Sequence, residues 1–430
     1  MVMVVNRESI ERRTVLKTIG AVGAIGSVSG VASANGQGNR SPKLELVGHS
    51  TLGAPDGANT HAAVNEDLDL AAVGSFVSVD PESRIIDISD PADPELVSTI
   101  KTGPGSDIRN TDIHPTEPLI ITANEGPVDD PDDPDPDEDA GWAIVNAEDP
   151  EDPELYGPFT IEGSLSGVHN VQTYGEDYVI CAPQNPGVGI VIFDISDPQE
   201  PERVSEFQKN GDREPSAQQV HAAHVRDEYA FLAHWDSGLV ILDISDPSDP
   251  KEVAAFDYTE EEADVPLRNC HHTVPHPTKD IVLLGEEVGT GEPGYKHIVE
   301  FDLDNGETEL LSSFQFPQHA NQPTGQQGFW WTGHFSDWGV GDQEDIVFSG
   351  DYKAGVQAFD LSDPEDPVRI SQYMPTEGVG EVRREDPVRS DLLDHVPFTW
   401  GAESQLAGDS GYIYAADATT GFYVLELEGY

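Results

Sequence analysis

One short pattern recurs along the chain and constrains its fold more than any other feature. An apolar run ends in Ser-Asp-Pro or a close variant, and a second proline-containing turn and another short strand-like segment follow it. Clear copies lie at residues 85–97, 191–204, 240–253 and 356–370, and altered copies begin at Ile144 and Val299. The apolar run predicts a buried strand. Ser-Asp-Pro predicts the turn that ends it, because proline cannot donate a hydrogen bond to a sheet.

Each copy is preceded by another short apolar strand, and a further strand begins just before that one. The preceding strands fall at residues 70–76, 118–123, 178–182, 229–233, 281–285, 346–349 and 412–415. Four short strands therefore recur seven times, roughly 50 to 60 residues apart. Such spacing is typical of propeller blades. The sequence predicts an all-β fold, a seven-bladed β-propeller of four-stranded antiparallel blades.

The two ends of the sequence predict how the ring closes. The last unit stops after its third strand, and residues 44–47 resemble the fourth strands at 95–97 and 252–253. We therefore expect an N-terminal strand to complete the last blade, which removes the open edges of a linear array. No linker divides the region, so we expect one propeller domain over residues 43–430.

The repeated units resemble the LVIVD repeat of bacterial and archaeal surface or secreted propellers. The resemblance rests on the Asp-Ile-Ser-Asp-Pro segments at 87–91, 194–198 and 243–247, and it extends over nearly the whole chain after residue 34. It implies a propeller fold and export. The family carries no single activity, so the resemblance implies no particular reaction.

The N-terminus has the pattern of an export signal. Arg12 and Arg13 precede an apolar stretch of small residues at 18–31, and Ala-Ser-Ala at 32–34 is a suitable cleavage site. We expect a twin-arginine signal peptide at 1–34, a short linker at 35–42, and an extracellular or cell-surface location. A short membrane anchor is the alternative interpretation of the same segment. No later segment is long and apolar enough to predict a membrane span.

The charge of the chain is strongly one-sided. Asp and Glu number 81 against 22 Lys and Arg, which gives a formal net charge of −59. Such self-repulsion is screened at molar salt, where the Debye length is about 3 Å, so the composition indicates a halophilic protein. A disordered acidic chain is the rival interpretation, and the regular apolar runs argue against it. The charge also disfavours nucleic acids and anionic membranes as partners.

Histidines recur where the innermost strands of the units begin. In a propeller the starts of the first strands and the ends of the second strands lie at one mouth of the axial channel, because neighbouring strands run antiparallel. Neutral imidazole binds zinc, copper, iron and nickel, and carboxylates complete or orient the ligand set. The sequence therefore predicts a transition-metal site, copper or zinc, at this mouth. The candidate ligands are His61, His169, His221, His271, His272, His334, Glu286, Glu287 and Asp351.

Two other interpretations of these histidines stay open. Each imidazole could instead donate to the backbone of the neighbouring blade and stabilise the ring without binding a metal. Axial histidines in an exported propeller are also similar to the selenium-binding, methanethiol-oxidase-like propellers, and that similarity implies copper. No ligand of that family aligns residue by residue with this chain.

Four long insertions each join an outermost strand to the next innermost strand, and they lie at the predicted histidine face. They run over 208–219, 257–268, 315–332 and 374–398. Loops of this kind over a rigid scaffold often form binding sites. With a metal, the mouth could support redox chemistry or metal-assisted hydrolysis of a small molecule. The alternative is a non-catalytic secreted or cell-surface scaffold that binds proteins or glycans. In either case we expect a monomer.

The remaining candidate groups have simpler interpretations. Cys181 and Cys270 fall in different units, so no disulfide is predicted. Cys270 could be a soft copper ligand, but the more common role of such a residue is a small buried one. The Pro-Asp run at 129–139 could bind calcium, but it lacks the EF-hand spacing and favours a solvated loop.

Overall fold

The computed structural model describes most of the chain after residue 40. The described residues are 41–430 without 54–56, 77–81, 104–106, 127–139, 163, 165–166, 184–188, 210–218, 236, 259–268, 289–293, 316–331, 383–384, 386–390, 392–393, 395 and 405. The predicted signal peptide at 1–34, most of the 35–42 linker and the Pro-Asp run lie outside them.

Seven four-stranded sheets account for all the described strands. Blade 1 contains β2 (Ala58–Asn65), β3 (Leu70–Phe76), β4 (Glu82–Asp87) and β5 (Glu95–Lys101), and blade 2 contains β6 (Asp107–Ile113), β7 (Leu119–Glu125), β8 (Gly141–Asn146) and β9 (Glu154–Phe159). Blade 3 contains β10 (Val168–Tyr174), β11 (Tyr178–Pro183), β12 (Ile190–Asp194) and β13 (Glu202–Phe207), and blade 4 contains β14 (Ala222–Arg226), β15 (Tyr229–Ala233), β16 (Gly238–Asp243) and β17 (Lys251–Asp257). Blade 5 contains β18 (Cys270–Pro275), β19 (Ile281–Glu286), β20 (Lys296–Asp302) and β21 (Glu307–Phe314). Blade 6 contains β22 (Ser336–Trp338), β23 (Ile346–Gly350), β24 (Val356–Asp360) and β25 (Val368–Tyr373). Blade 7 contains β26 (Thr399–Glu403), β27 (Ile413–Asp417), β28 (Gly421–Glu428) and β1 (Lys43–Ser50).

The strand order confirms the predicted seven-bladed propeller. Six sheets are antiparallel meanders of four consecutive strands, whereas the seventh has the order β1-β28-β27-β26. Strand β1 pairs antiparallel with β28 from Lys43 opposite Glu428 to Ser50 opposite Phe422. The N-terminal strand therefore closes the ring, as its similarity to the other outer strands predicted.

The recurring turn after the third strand, Ser-Asp-Pro or its variant Glu-Asp-Pro, joins neighbouring blades at the outer rim. The hydroxyl of Ser98 in blade 1 donates to the carbonyl of Pro150 in blade 2 at 2.5 Å. Ser205 and Pro247 form the same bond between blades 3 and 4, also at 2.5 Å. A serine on one outer strand thus satisfies the proline carbonyl of the next repeat, which gives the repeated motif a structural role between blades.

The described residues include only short helices. None of their helices is both long and apolar enough to cross a membrane. Cys181 and Cys270 are free and buried in separate blades.

Candidate metal centre at one mouth of the channel

The innermost strands bulge where they reach the mouth of the channel. In blades 2, 3, 5 and 7 the pairing with the second strand skips one residue: Arg109, His169, His271 and Trp400, respectively. A β-bulge leaves that residue outside the ladder and redirects its side chain. His221 lies immediately before β14, and His334 lies two residues before β22. They occupy the corresponding place in blades 4 and 6.

Four imidazoles from consecutive blades form a continuous arc, which we call the histidine arc. Ring centroids are 4.2 Å apart for His169 and His221, 3.8 Å for His221 and His271, and 4.4 Å for His271 and His334. The indole of Trp400 in blade 7 follows at 4.7 Å from His334. The propeller thus brings together side chains separated by 165 positions in the sequence, from His169 to His334.

Three groups in this region could hold one metal ion. Among the described residues, His271, His334 and Glu287 form a set whose potential ligand atoms all lie within 4.8 Å of one another. The Nε2 atoms of His271 and His334 lie 3.6 and 4.0 Å from the two carboxylate oxygens of Glu287. Two imidazoles, one carboxylate and an open position make up a ligand set that is common at catalytic zinc.

Hydrogen bonds outside this set orient two of its members. The Nδ1–H of His334 donates to the carbonyl of Trp400 at 2.6 Å, which leaves the lone pair on the Nε2 atom that faces Glu287. The hydroxyl of Tyr352 donates to Glu287 Oε1 at 2.5 Å. Such second contacts fix the tautomer and the orientation of metal ligands.

Three members of the histidine arc, His221, His271 and His334, are buried, and this keeps their imidazoles in the neutral form that binds metals. Burial lowers the pKa of His221 and His271 well below the ordinary value, and neighbouring imidazoles lower it further. Burial likewise lowers the pKa of His334 to about 3. Burial raises the pKa of Glu287, and the hydrogen bond from Tyr352 partly lowers it again.

His169 has a different environment from the other members of the arc. Its Nδ1 lies 2.7 Å from Glu125 Oε2, and the same oxygen is 3.0 Å from Nε of Arg109. Glu125 of blade 2 therefore pairs with Arg109 of its own blade and with His169 of blade 3. His169 and His221 lie beside the three-residue set without belonging to it.

Two predicted carboxylates have structural partners instead. Glu286 accepts hydrogen bonds from the backbone N–H of Asn269 at 3.4 Å and of Tyr295 at 3.1 Å. Asp351 forms a buried ion pair with Lys296, whose Nζ lies 2.8 and 3.0 Å from its two carboxylate oxygens. Consecutive residues at a strand end point in different directions, so Glu286 and Glu287 do not share one site.

Two predicted histidines lie one step deeper in the channel. His272 pairs with Gly285 inside the ladder, and its Nε2–H donates to the carbonyl of Ser336 at 2.7 Å. His61 has Glu403 as its partner, with Nε2 and Oε1 2.7 Å apart. The ring of Phe335 separates them, with its centroid 4.6 Å from His61 and 4.9 Å from His272. The predicted histidines therefore occupy two layers.

Cys270 lies next to His271 in sequence but outside the three-residue set. It is fully buried, and burial raises the pKa of its thiol to about 12. A neutral buried thiol is a poor metal ligand, because the thiolate is the binding form. The structure therefore favours the small-core-residue interpretation of Cys270.

Two aromatic residues of this site were not predicted from the sequence. Trp235 and Tyr352 have positive φ angles of 41° and 33°, which are rare for large side chains. Trp235 lies edge-on to His221 with centroids 4.5 Å apart, and Tyr352 stacks on His334 at 4.9 Å. Each lies two residues after the second strand of its blade. This equivalent position in the repeat is the sequence signal that could have identified them.

The predicted binding loops fall largely outside the described residues. This applies to most of 208–219, 257–268 and 315–332, and to part of 374–398. Their role in binding therefore stays a prediction.

Comparisons with known proteins agree with the fold and the repeat. The family described as LVIVD repeat matches residues 77–102 and 217–258. The protein is a seven-bladed β-propeller in which two segments match the LVIVD repeat. No curated protein matches the chain.

Solved structures of other propellers are similar to this one. The RRP9 WD40 repeats align with a TM-score of 0.57 at 9% identity, over 90% of this chain and 99% of that chain. A proposed 6-phosphogluconolactonase of Bacteroides uniformis aligns with a TM-score of 0.52 at 11% identity, over 77% and 98%. The Cps50 (Swd1) propeller domain of Myceliophteria thermophila gives 0.51 at 11%, over 86% and 97%. Identities this low show the fold alone.

Proposed function

We propose that this protein is an exported propeller that binds one transition-metal ion through His271, His334 and Glu287. The observation that carries the proposal is the convergence of these three side chains within 4.8 Å, two of them oriented by outside hydrogen bonds. The buried imidazoles of His271 and His334 face the carboxylate of Glu287. A divalent ion there would compensate the carboxylate charge and accept both lone pairs.

Zinc fits this ligand set better than copper. Copper(I) selects soft sulfur ligands, whereas the thiol of Cys270 is protonated and outside the set. Two imidazoles and one carboxylate leave a coordination position for water or substrate. Metal-assisted hydrolysis of a small molecule is therefore the reaction class that we favour, with His271, His334 and Glu287 as the metal ligands. Copper-based redox chemistry is the alternative that metal analysis distinguishes.

The surroundings of the three ligands indicate how a substrate would be held. Trp235, Tyr352 and Trp400 place aromatic rings around the imidazoles, while Arg109 stacks its guanidinium 4.3 Å from the ring centroid of Phe76. Such walls favour a planar or partly apolar substrate. The long loops predicted at this face would complete the binding surface.

Export and a halophilic host also belong to the proposal. The twin-arginine pattern at residues 12–13 and the net charge of −59 support them. Sequencing the N-terminus of protein recovered from the culture medium tests export and the predicted cleavage after residue 34. Unfolding measured at rising potassium chloride concentration tests halophily, because screening should increase stability.

Metal analysis of the purified full-length protein tests the site. We expect one zinc ion per chain, and its loss in the variants His271→Ala and Glu287→Gln. Glu286→Gln is the matched control: it alters the adjacent glutamate, which has backbone partners, and it should retain the metal. If the bound metal is copper, redox chemistry becomes the favoured reaction class in place of hydrolysis. A metal-free protein that the substitutions leave unchanged would instead favour the protein- or glycan-binding scaffold.

A further inference from the structure

A second group of buried imidazoles lies below Phe335, farther into the channel than the metal ligands. His224 of blade 4 meets His272 of blade 5 edge-on, with ring centroids 4.7 Å apart. Both side chains are buried, with exposed fractions of 6% and 1%. Because His224 is the third residue of β14, it lies nearer the opposite mouth than His221 does.

His224 lacks the hydrogen bonds that its neighbours make. His272 donates to Ser336 and His61 contacts Glu403. The Nδ1 atom of His224 is buried and has no hydrogen-bond partner among the described residues. An unsatisfied buried polar group costs about 1–3 kcal/mol, so such a group in a native protein calls for a ligand or an ordered water.

A cavity of about 290 Å³ adjoins His224 and opens at the opposite mouth. Its apolar walls include Val274, Pro275, Pro277 and Leu406. Leu406 comes from the turn after the first strand of blade 7, and its backbone N–H donates to Asp337 Oδ2 at 2.8 Å, which fixes that wall. The cavity is therefore built from blades 4, 5 and 7, and it lies apart from the three metal ligands.

The polar groups of the cavity select the chemistry of an occupant. A neutral imidazole offers one donor and one acceptor, which matches a hydroxyl group. Arg226 also lines the cavity, but its guanidinium donates to the carbonyl of His276 at 2.9 Å and pairs with Asp280 at 3.2 Å. Asp227 on the same wall and the acidic surface disfavour an anion.

We propose that this cavity binds a small uncharged molecule that carries one hydroxyl on an apolar body, with His224 as the hydrogen-bonding residue. An apolar cavity of about 150 Å³ is large enough for benzene. The present cavity therefore accommodates a ring together with its hydroxyl. This site is independent of the proposed metal function.

Calorimetric titration of the full-length protein with phenol tests the proposal. We expect saturable binding of one phenol per chain. Toluene, which has the same shape without the hydroxyl, should bind about fivefold more weakly, which corresponds to one neutral hydrogen bond. Benzoate should bind more weakly still, because it adds a negative charge beside Asp227.

Three variants complete the test. His224→Leu should reduce phenol affinity about fivefold and leave toluene affinity similar or higher, because the side-chain volume is kept. Leu406→Trp should fill the cavity and abolish binding of both, which decides the question if His224→Leu does not fold. Glu287→Gln should bind phenol as the parent does, so that a failed metal site does not affect the result.

The proposal is overturned if phenol affinity is the same in the parent and in Leu406→Trp. Equal affinities for phenol and toluene in the parent would exclude His224 as the recognising residue. Benzoate binding more tightly than phenol would exclude an uncharged ligand.

Discussion

The hydroxyl of Tyr352 donates a 2.5 Å hydrogen bond to Glu287, and this contact joins blade 6 to the carboxylate at the end of the second strand of blade 5. The φ angle of Tyr352 is 33°, so the backbone is held in a conformation that large residues rarely adopt. Its ring also stacks on His334 at 4.9 Å and on Phe398 at 4.3 Å. One side chain thus positions two of the three proposed metal ligands.

Replacing this tyrosine should weaken metal binding without removing a ligand. For Tyr352→Phe we expect zinc affinity to fall about 10- to 100-fold, the range for groups that orient ligands. The ring is kept, so its stacking on His334 should persist. Competition with a chelating dye measures the affinity. Tyr156→Phe is the matched control, because Tyr156 also contacts a glutamate but lies on the outer strand of blade 2. Equal zinc affinity in both variants would show that Tyr352 does not position the site.

The seam that closes the ring has no room for a side chain at Gly48. A Cβ atom there would lie 2.1 Å from the carbonyl oxygen of Pro91 in blade 1. Gly48→Ala should therefore displace β1 and lower the free energy of unfolding by about 1–3 kcal/mol. Gly380→Ala provides the control, because a Cβ at Gly380 meets no atom within 4 Å. Urea unfolding of both variants checks this, and equal midpoints would refute the closure argument.

The buried pair of Lys296 and Asp351 should contribute to folding and not to metal binding. Lys296→Met leaves the Asp351 carboxylate buried without its cation, which costs about 3–5 kcal/mol in comparable cases. We expect a large loss of unfolding free energy with unchanged zinc stoichiometry. Lys251→Met, at an exposed lysine that pairs with Asp249 on the rim of blade 4, should change neither quantity. Loss of zinc from a folded Lys296→Met variant would instead indicate that Asp351 contributes to the metal site.

Burial of neutral His224 should make the protein less stable in mild acid. Burial lowers the pKa of His224 from 6.5 to about 3. Between these values the unfolded chain binds a proton that the folded chain does not, so stability is present above pH 6.5 and falls as the pH decreases toward 3. The contribution between pH 7 and pH 5 is about 2 kcal/mol.

The variant His224→Leu isolates this contribution. Its loss of unfolding free energy between pH 7 and pH 5 should be about 2 kcal/mol smaller than that of the parent. Asp112 and Asp337 act in the opposite direction in both proteins, because burial raises the pKa of these carboxyls to about 6 and about 7. Their effects cancel in the comparison. An identical pH dependence in parent and variant would show that His224 does not stay neutral in the folded state.

The sequence by itself determined the architecture of this protein. Seven four-strand units, four of which carry the Ser-Asp-Pro turn, specify the blades, and the strand-like segment at 44–47 specifies their closure, because strand period and turn chemistry are local properties. It also placed His271, His334 and Glu287 at the mouth, since equivalent positions in each repeat meet there.

Only the tertiary structure decided which of the candidates come together. A β-bulge places His271 outside the hydrogen-bonded ladder, while His272 stays within it. Strand β19 ends at Glu286, so Glu287 lies just beyond the strand and points in another direction. Asp351 forms an ion pair with Lys296, which lies 55 positions away in the sequence. This contact depends on how blades 5 and 6 pack together. Ligand geometry depends on bulges, side-chain directions and contacts between blades, and a repeat pattern in one dimension does not contain them.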